Sequence, residues 1–204
     1  MSGTLGIDTA SGQFAVAFSP VGEGEIRISQ QEAGQNHSRL LLAAIRDIIG
    51  NERGQISAIV VVTGPGSYAG IRVGVATAQA LAFAWGVPVF GVGTMEAAAA
   101  AASLAHDLTV IHPAGRGQFA AQPWSSGSSS GPIAIAVPES LQGLRLAGEG
   151  AGTLGGLELS PGERLRAAVA LVASGSRSAG ADVTYLREPN ITVSRRPMPV
   201  VTAG

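Results

Sequence analysis

Cysteine and lysine are both absent from this chain of 204 residues. Without cysteine there is no disulfide scaffold and no cysteine-ligated zinc site or cluster. Without lysine there is no Schiff-base amine and no phosphate-loop lysine. All 13 basic residues are arginine. Charge of either sign is scarce, at 13% of residues, and the formal net charge is −1. That balance argues against a chain that holds nucleic acid by its own charge. Aromatic residues make up 4%, yet hydrophobic residues reach 46%, so disorder is excluded as the main state. A chain this long buries roughly 70% of its unfolded surface, enough for one sizeable core or two small ones.

Met1 to Leu5 lacks a basic stretch followed by a long apolar run, so no signal peptide is read and a cytoplasmic protein is expected. From Val73 to Met95 no charged residue occurs, a length that could cross a bilayer. Gly74, Gln79, Gly86, Pro88, Gly91 and Gly93 interrupt it, and alanine rather than leucine fills it. The better reading is a buried helix ending near Gly86, then a buried strand over Val87 to Val92.

The chain opens with three short alternating runs, Leu5 to Asp8, Gln13 to Phe18 and Glu25 to Ser29, which predict an antiparallel meander. Asn36 caps a helix whose apolar residues Leu40, Leu41, Leu42, Ala44, Ile45, Ile48 and Ile49 span about 200° of its surface, about twice what one sheet face covers. Ile56 to Val62 reads as a strand buried on both faces. Ser67 caps a second helix reaching about Trp85, with Gly70, Gly74, Ala78 and Ala82 as a ridge of small residues that suits close helix approach. So apolar a helix should be buried on most sides. An alanine-rich helix from Gly93 to about Leu104, strands over Leu108 to Ile111, Ile133 to Val137 and Leu144 to Ala147, and a helix over Glu163 to Ala173 follow. Ser125 to Gly131 is a flexible loop, read as a hairpin tip. A boundary near Ala100 divides residues 1–100, an α/β domain, from a smaller one over 101–204 with an irregular tail.

Several constellations have two readings. Asp8-Thr9 ends a strand before a Ser/Gly turn: a carboxylate with turn amides suits a magnesium-bound nucleotide phosphate, or simply a strand end. Gly64-Pro-Gly-Ser-Tyr-Ala-Gly70 joins a strand to a helix N-terminus, where free amides favour anions or glycines permit tight packing. It is not a P-loop, and Ser67 does not stand in a nucleophile elbow. His37, His106 and His112 are too scattered for a local metal motif. Gly148 to Gly152 with Gly155-Gly156 approaches a nucleotide or makes a turn, and the turn is preferred. Arg195-Arg196 reads as a solvated tail.

Leu5-Gly-Ile-Asp-Thr-Ala10, Asn36-His-Ser-Arg-Leu-Leu-Leu42, the long run Val61 to Leu81, then Gly86-Val-Pro-Val89 and Gly91-Val-Gly-Thr94 together resemble the TsaB/YeaZ family. Tyr185-Leu-Arg-Glu-Pro189 is similar to its C-terminal segment. The resemblance is close over residues 4–100 and patchy beyond. It implies the actin/Hsp70/sugar-kinase (ASKHA) fold of two related α/β domains, the second reduced here. It implies a non-catalytic scaffold that supports the homologous catalytic subunit TsaD, joined by the ATPase TsaE. TsaD transfers threonylcarbamoyl to adenosine 37 of tRNAs reading ANN codons. Neither metal nor cofactor is expected in this chain, with ATP or ADP and magnesium entering only at the level of the complex. A homodimer through the docking surface is the alternative to the heterodimer, tRNA is met only through the complex, and no membrane is involved. An ATP-binding enzyme of the same fold is the first rival; a glycopeptidase is the last.

Family docking uses the two N-terminal helices, which implies contacts from Leu41, Ile45, Ile48, Gly70, Gly74 and Ala78. Gly74→Leu is then expected to abolish association with circular dichroism near native. Asp8, Thr9, Gly64, Gly66 and Ser67 would be a vestigial phosphate site. This chain departs from the family where an Asp-Ala-Arg segment is usual. It has Ile111-His-Pro-Ala-Gly-Arg-Gly-Gln-Phe119, with only Arg116 and Phe119 echoing the pattern, so the acid that would complete a two-domain phosphate site is missing.

Overall fold

A computed structural model of the chain describes residues 3–20, 24–32, 37–102, 107–175 and 179–184. Asn36, His106, the Tyr185 to Pro189 segment and the Arg195-Arg196 pair lie outside the described residues. Strands β1 (Gly3–Asp8), β2 (Gln13–Ser19) and β3 (Arg27–Glu32) form the expected antiparallel meander. Helix α1 (His37–Ile49) leads to β4 (Ile56–Val62), and α2 (Tyr68–Trp85) leads to β5 (Val89–Val92). Both strands run parallel to β1, giving the order β3-β2-β1-β4-β5. Ile59, Val60, Val61 and Val62 are all buried, as a strand covered on both faces requires. Ser67 caps α2 by accepting from the Gly70 amide, and Gly86, at φ 67°, ends it in the left-handed conformation that glycine adopts without strain.

After α3 (Thr94–Ala101) the chain builds a second sheet from β6 (Leu108–Gly115), β7 (Gln118–Ser125), β8 (Ser128–Ser129), β9 (Ala134–Ala136), β10 (Leu146–Gly148) and β11 (Leu157–Glu158). β7 pairs antiparallel with β6 on one edge and with β8 and β9 on the other; β10 runs parallel to β6 and β11 to β10. The second sheet thus repeats the strand order and directions of the first. The difference lies in the crossovers. Where α1 and α2 join strands of the first sheet, single 3-10 turns, Pro138–Leu141 and Ala151–Leu154, join β9 to β10 and β10 to β11. That is the physical form of the reduced second domain. The Ser/Gly stretch is a hairpin tip, with Trp124 opposite Ser129. β7 has no counterpart in the sequence reading, because Pro123 and the adjacent Ala120-Ala121 break alternation.

The last helix of each half packs on the other half. α3 follows the first sheet yet lies against β6 and β10. α4 (Pro161–Ala173) follows the second sheet yet covers β1, β2, β3 and β4, while α1 and α2 also pack on the first sheet. Leu165, Ala168 and Val169 of α4 join the core of Leu5, Ile7, Phe14 and Phe18. Residues 179–184 return as well, with Gly180 bridging Phe90. A division of the sequence at residue 100 therefore differs from the packing, since α4 and 179–184 complete the first core. The architecture is the ASKHA-like one, two related α/β units around a central pair of helices. No helix among the described residues is long and apolar enough to cross a membrane.

Candidate functional site

The sequence candidates fall in two places, the junction between the sheets and the helices α1 and α2. At the junction, β1 delivers Asp8 at its C-terminal end, fully buried. Its Oδ1 accepts from the Ala10 amide at 2.9 Å, and its Oδ2 accepts from Arg164 Nε at 3.0 Å. Arg164 comes from the first turn of α4 and is also fully buried. Its other nitrogens donate to Glu149 Oε2 at 2.8 Å and to Ser11 Oγ at 2.8 Å. Ser11 Oγ in turn donates to the same Glu149 oxygen. Inside β6, one residue past the last that pairs with β10, stands His112, whose Nε2 lies 3.2 Å from the Ala10 carbonyl and whose Nδ1 lies 3.7 Å from Glu149 Oε2.

The electrostatics follow from burial and from one cation among two carboxylates. Burial, then the Arg164 charge, lowers the His112 pKa from 6.5 to about 4, so the ring is neutral. Its Nε2 hydrogen faces a carbonyl and its Nδ1 has no hydrogen-bond partner among the described residues. Burial pushes the Glu149 carboxyl up, but Arg164, His112 and Ser11 outweigh it and hold the group below its ordinary value. Burial disfavours the Arg164 cation too, and Asp8 with Glu149 more than restores it.

The expected phosphate residues are engaged internally. Thr9 Oγ1 donates to the Gly70 carbonyl at 2.8 Å. The Ser67 amide donates to the Ala10 carbonyl at 2.7 Å, and the Gly64 carbonyl accepts from the Thr94 amide at 2.7 Å. A Cβ on Gly66 would stand 2.3 Å from the Ala10 carbonyl oxygen. The glycine loop is thus closed against the β1–β2 turn, and the Asp8 carboxylate already holds a guanidinium. The groove beside this cluster, about 360 Å³, is lined by Glu32, Glu149, Glu158 and Glu163, a sign of charge that repels phosphate. In the second glycine-rich stretch the Gly150 and Gly152 amides donate to Glu158 at 2.8 Å, which makes it a turn. Among the described residues no group of three or more His, Asp or Glu side chains could hold a metal ion.

Arg164 and Glu149 did not emerge from the sequence reading. One signal for Arg164 was present: it lies on the stripe Pro161, Arg164, Leu165, Ala168 and Val169, at helical spacing among buried residues. A charge inside such a stripe needs a buried partner. Glu149 sits between two glycines of a turn, and no local pattern marks it.

The two helices divide the docking candidates differently from expectation. Leu41, Ile45, Gly70, Gly74 and Ala78 are buried in the chain's own core, and Ile48 is half-buried against it. The small-residue ridge turns inward: a Cβ on Gly70 would stand 2.1 Å from the Thr9 carbonyl oxygen, and one on Gly74 2.1 Å from Thr9 Oγ1. The close approach that these glycines permit is to β1's end, not to a second helix. The outward faces hold other residues. On α2, Ala69, Arg72, Ala76, Gln79, Ala80, Phe83 and Ala84 are exposed, and Phe83 is 93% exposed. On α1, Leu42 is 53% exposed. The expectation that α2 is covered on most sides is not met among the described residues; its outer face carries Phe83 and four alanines beside Arg72 and Gln79.

Residues 24–134 match the family model described as TsaD: tRNA N6-adenosine threonylcarbamoyltransferase. The chain is 32% identical over 94 residues to the Escherichia coli (strain K12) tRNA threonylcarbamoyladenosine biosynthesis protein TsaB, covering 45% of this chain and 40% of that protein. It is 33% identical over 105 residues to the Haemophilus influenzae protein of the same name, covering 50% and 44%. The chain thus spans less than half the length of the curated relatives it matches. Among solved structures, a Pseudomonas aeruginosa protein described as similar to peptidase YeaZ superposes with a TM-score of 0.72 at 22% identity, over 92% of this chain and 100% of that one. YeaZ from Pseudomonas aeruginosa superposes with a TM-score of 0.68 at 21% identity, over 91% and 100%. These likenesses show the fold.

Proposed function

The chain belongs to the TsaD (tRNA N6-adenosine threonylcarbamoyltransferase) family, within its TsaB/YeaZ group, and from that premise we propose that it is a non-catalytic subunit in tRNA N6-threonylcarbamoyladenosine synthesis. Its task is to dock the outer faces of α1 and α2 onto a TsaD-like catalytic subunit and stabilise that subunit's active arrangement. The observation that carries the reading is Phe83, a large aromatic side chain 93% exposed on a helix whose opposite face is core. An aromatic anchor so placed is what an interface hot spot requires. The alanines beside it leave room for a partner helix at short range. A TsaE-like ATPase joins the assembly, and tRNA is met only there. In the absence of a partner the same face pairs two copies about a two-fold axis.

Catalysis by this chain has little support. The junction that would hold nucleotide contains Arg164 instead, and its carboxylates are spent on that cation. The test is co-elution on size exclusion with light scattering, using the full chain and the TsaD-like protein of the same genome. A heterodimer peak is expected, lost in Phe83→Asp while circular dichroism and Tm stay as in the parent. Undiminished binding by Phe83→Asp rejects the assigned surface. A parent chain that ignores the partner rejects the proposed function itself.

A further inference from the structure

We propose that Glu149 is a latch between the two halves of the molecule: its one carboxylate oxygen holds the second sheet closed on the first, and its release opens the junction. The argument rests on which element supplies each group. Asp8, Ala10 and Ser11 belong to β1 and the turn after it, and Arg164 to the helix that covers the first sheet. His112 and Glu149 belong to the second sheet and its connections. The polar contacts that cross from one group to the other therefore converge. Arg164 donates to Glu149 Oε2 at 2.8 Å, Ser11 Oγ donates to that same oxygen, and His112 Nε2 meets the Ala10 carbonyl at 3.2 Å. Two of the three end on a single atom.

The members of this cluster are not equally committed. Asp8 and Arg164 are sealed, whereas the Glu149 side chain is 25% exposed along the acidic groove. Glu149 can therefore exchange its protein donors for water. Arg164 loses less by that exchange than a buried cation ordinarily would, because Nε keeps Asp8 at 3.0 Å. The Ser11 hydroxyl also stays within reach of Arg164 when Glu149 leaves, at 2.8 Å from its terminal nitrogen. The cluster thus has a fixed half, Asp8–Arg164–Ser11, and a detachable half, Glu149. The contact of α3 with α4 remains when Glu149 leaves, so the opening turns about that helix pair. The inference concerns the chain by itself and stands whether or not it binds a TsaD-like partner.

The absence of cysteine makes the test direct. Spin labels at Gln55→Cys before β4 and Leu144→Cys beside β10, both exposed positions, report the separation of the halves by pulsed electron resonance, with labelled chain diluted into unlabelled chain so that distances within one copy are read. A second pair, Gln55→Cys with Gln31→Cys, lies within the first half and serves as control. The parent chain is expected to give one distance for each pair. Glu149→Ala is expected to add a second, longer population to the first pair and to leave the control unchanged. Arg164→Met, which removes the cation, should do the same. Ser11→Ala removes one arm and keeps every charge, and gives a smaller shift of the same sign should the other two variants fail to fold. An unchanged first pair in a folded variant overturns the latch. A change in both pairs also overturns it, because the side chain then holds the fold in general rather than the closure.

Discussion

Arg164 Nε and Asp8 Oδ2 meet at 3.0 Å with both side chains fully buried, although the residues are 156 positions apart. The pair ties α4 to the end of β1, and so fixes the helix that closes the first core. Removing one partner of a buried ion pair leaves the other charge without compensation, which costs about 3–5 kcal/mol. Asp8→Ala is expected to fall in that range by urea denaturation. The simultaneous change Asp8→Leu with Arg164→Met is expected to recover most of the loss, since a packed apolar pair avoids the desolvation of both charges. A single Asp8→Ala variant as stable as the parent contradicts the geometry.

Gly74 permits contact with Thr9 rather than with a partner. A Cβ there would stand 2.1 Å from Thr9 Oγ1, a side chain that also donates to the Gly70 carbonyl. Gly74→Ala is therefore expected to destabilise by about 1–3 kcal/mol, the usual cost of overpacking. Gly74→Leu is expected to prevent folding, not to abolish association with circular dichroism near native. Native-like circular dichroism in Gly74→Leu would place the ridge outward after all.

Much of the first half is legible in the sequence because its signals are local. Alternation around Phe14, Val16 and Phe18, the unbroken run Ile56 to Val62 and the cap at Ser67 each lie within a few residues. The second half is harder to read. β8 and β11 have two residues each, too few for any period to show, whereas the strand expected over Leu144 to Ala147 overlaps β10. Their pairing is set by the β6–β7 hairpin, which Pro123 disguises. The direction of the α2 ridge was not legible either. Sequence spacing says that Gly70, Gly74 and Ala78 share a face, but not whether β1 or another molecule lies opposite. The junction joins residues of β1, β6, the turn after β10 and α4, so its composition is a property of the fold. The loss of the acid from the Ile111 to Phe119 segment was visible, and the arginine that takes up the remaining acids was not.

Nucleotide binding separates the scaffold reading from its closest rival. A micromolar site exposed to millimolar Mg-ATP would stabilise the chain by about 4 kcal/mol. In a domain of this size that is a rise of roughly 10 °C in Tm. Asp8 already has Arg164, the Gly64–Ser67 loop is closed on Ala10, and the groove beside Glu149 is acidic. The isolated chain is therefore expected to show no rise in a thermal shift assay with Mg-ATP or Mg-ADP. A rise of several degrees, lost in Asp8→Asn, would favour the enzyme.

His112 should give the chain a stability that falls with acid well above the carboxylate range. Its folded pKa of about 4 lies below the 6.5 of an ordinary histidine. Between those values the unfolded chain binds a proton that the folded chain refuses, so stability decreases as pH falls from 6.5 toward 4. The full difference is on the order of 3 kcal/mol. Glu149, held below its ordinary value, acts with the same sign at lower pH: its contribution is present above the unfolded carboxylate pKa and is lost as pH falls through the folded one. Urea unfolding at pH 7.5, 6.0 and 5.0 is expected to show a steady loss in the parent. His112→Asn removes the titrating ring and is expected to flatten the segment between pH 6.5 and 5, whatever its effect at pH 7.5. Equal slopes in parent and variant over that window would mean that His112 titrates as a solvated ring, and that the junction admits water where the geometry has it closed.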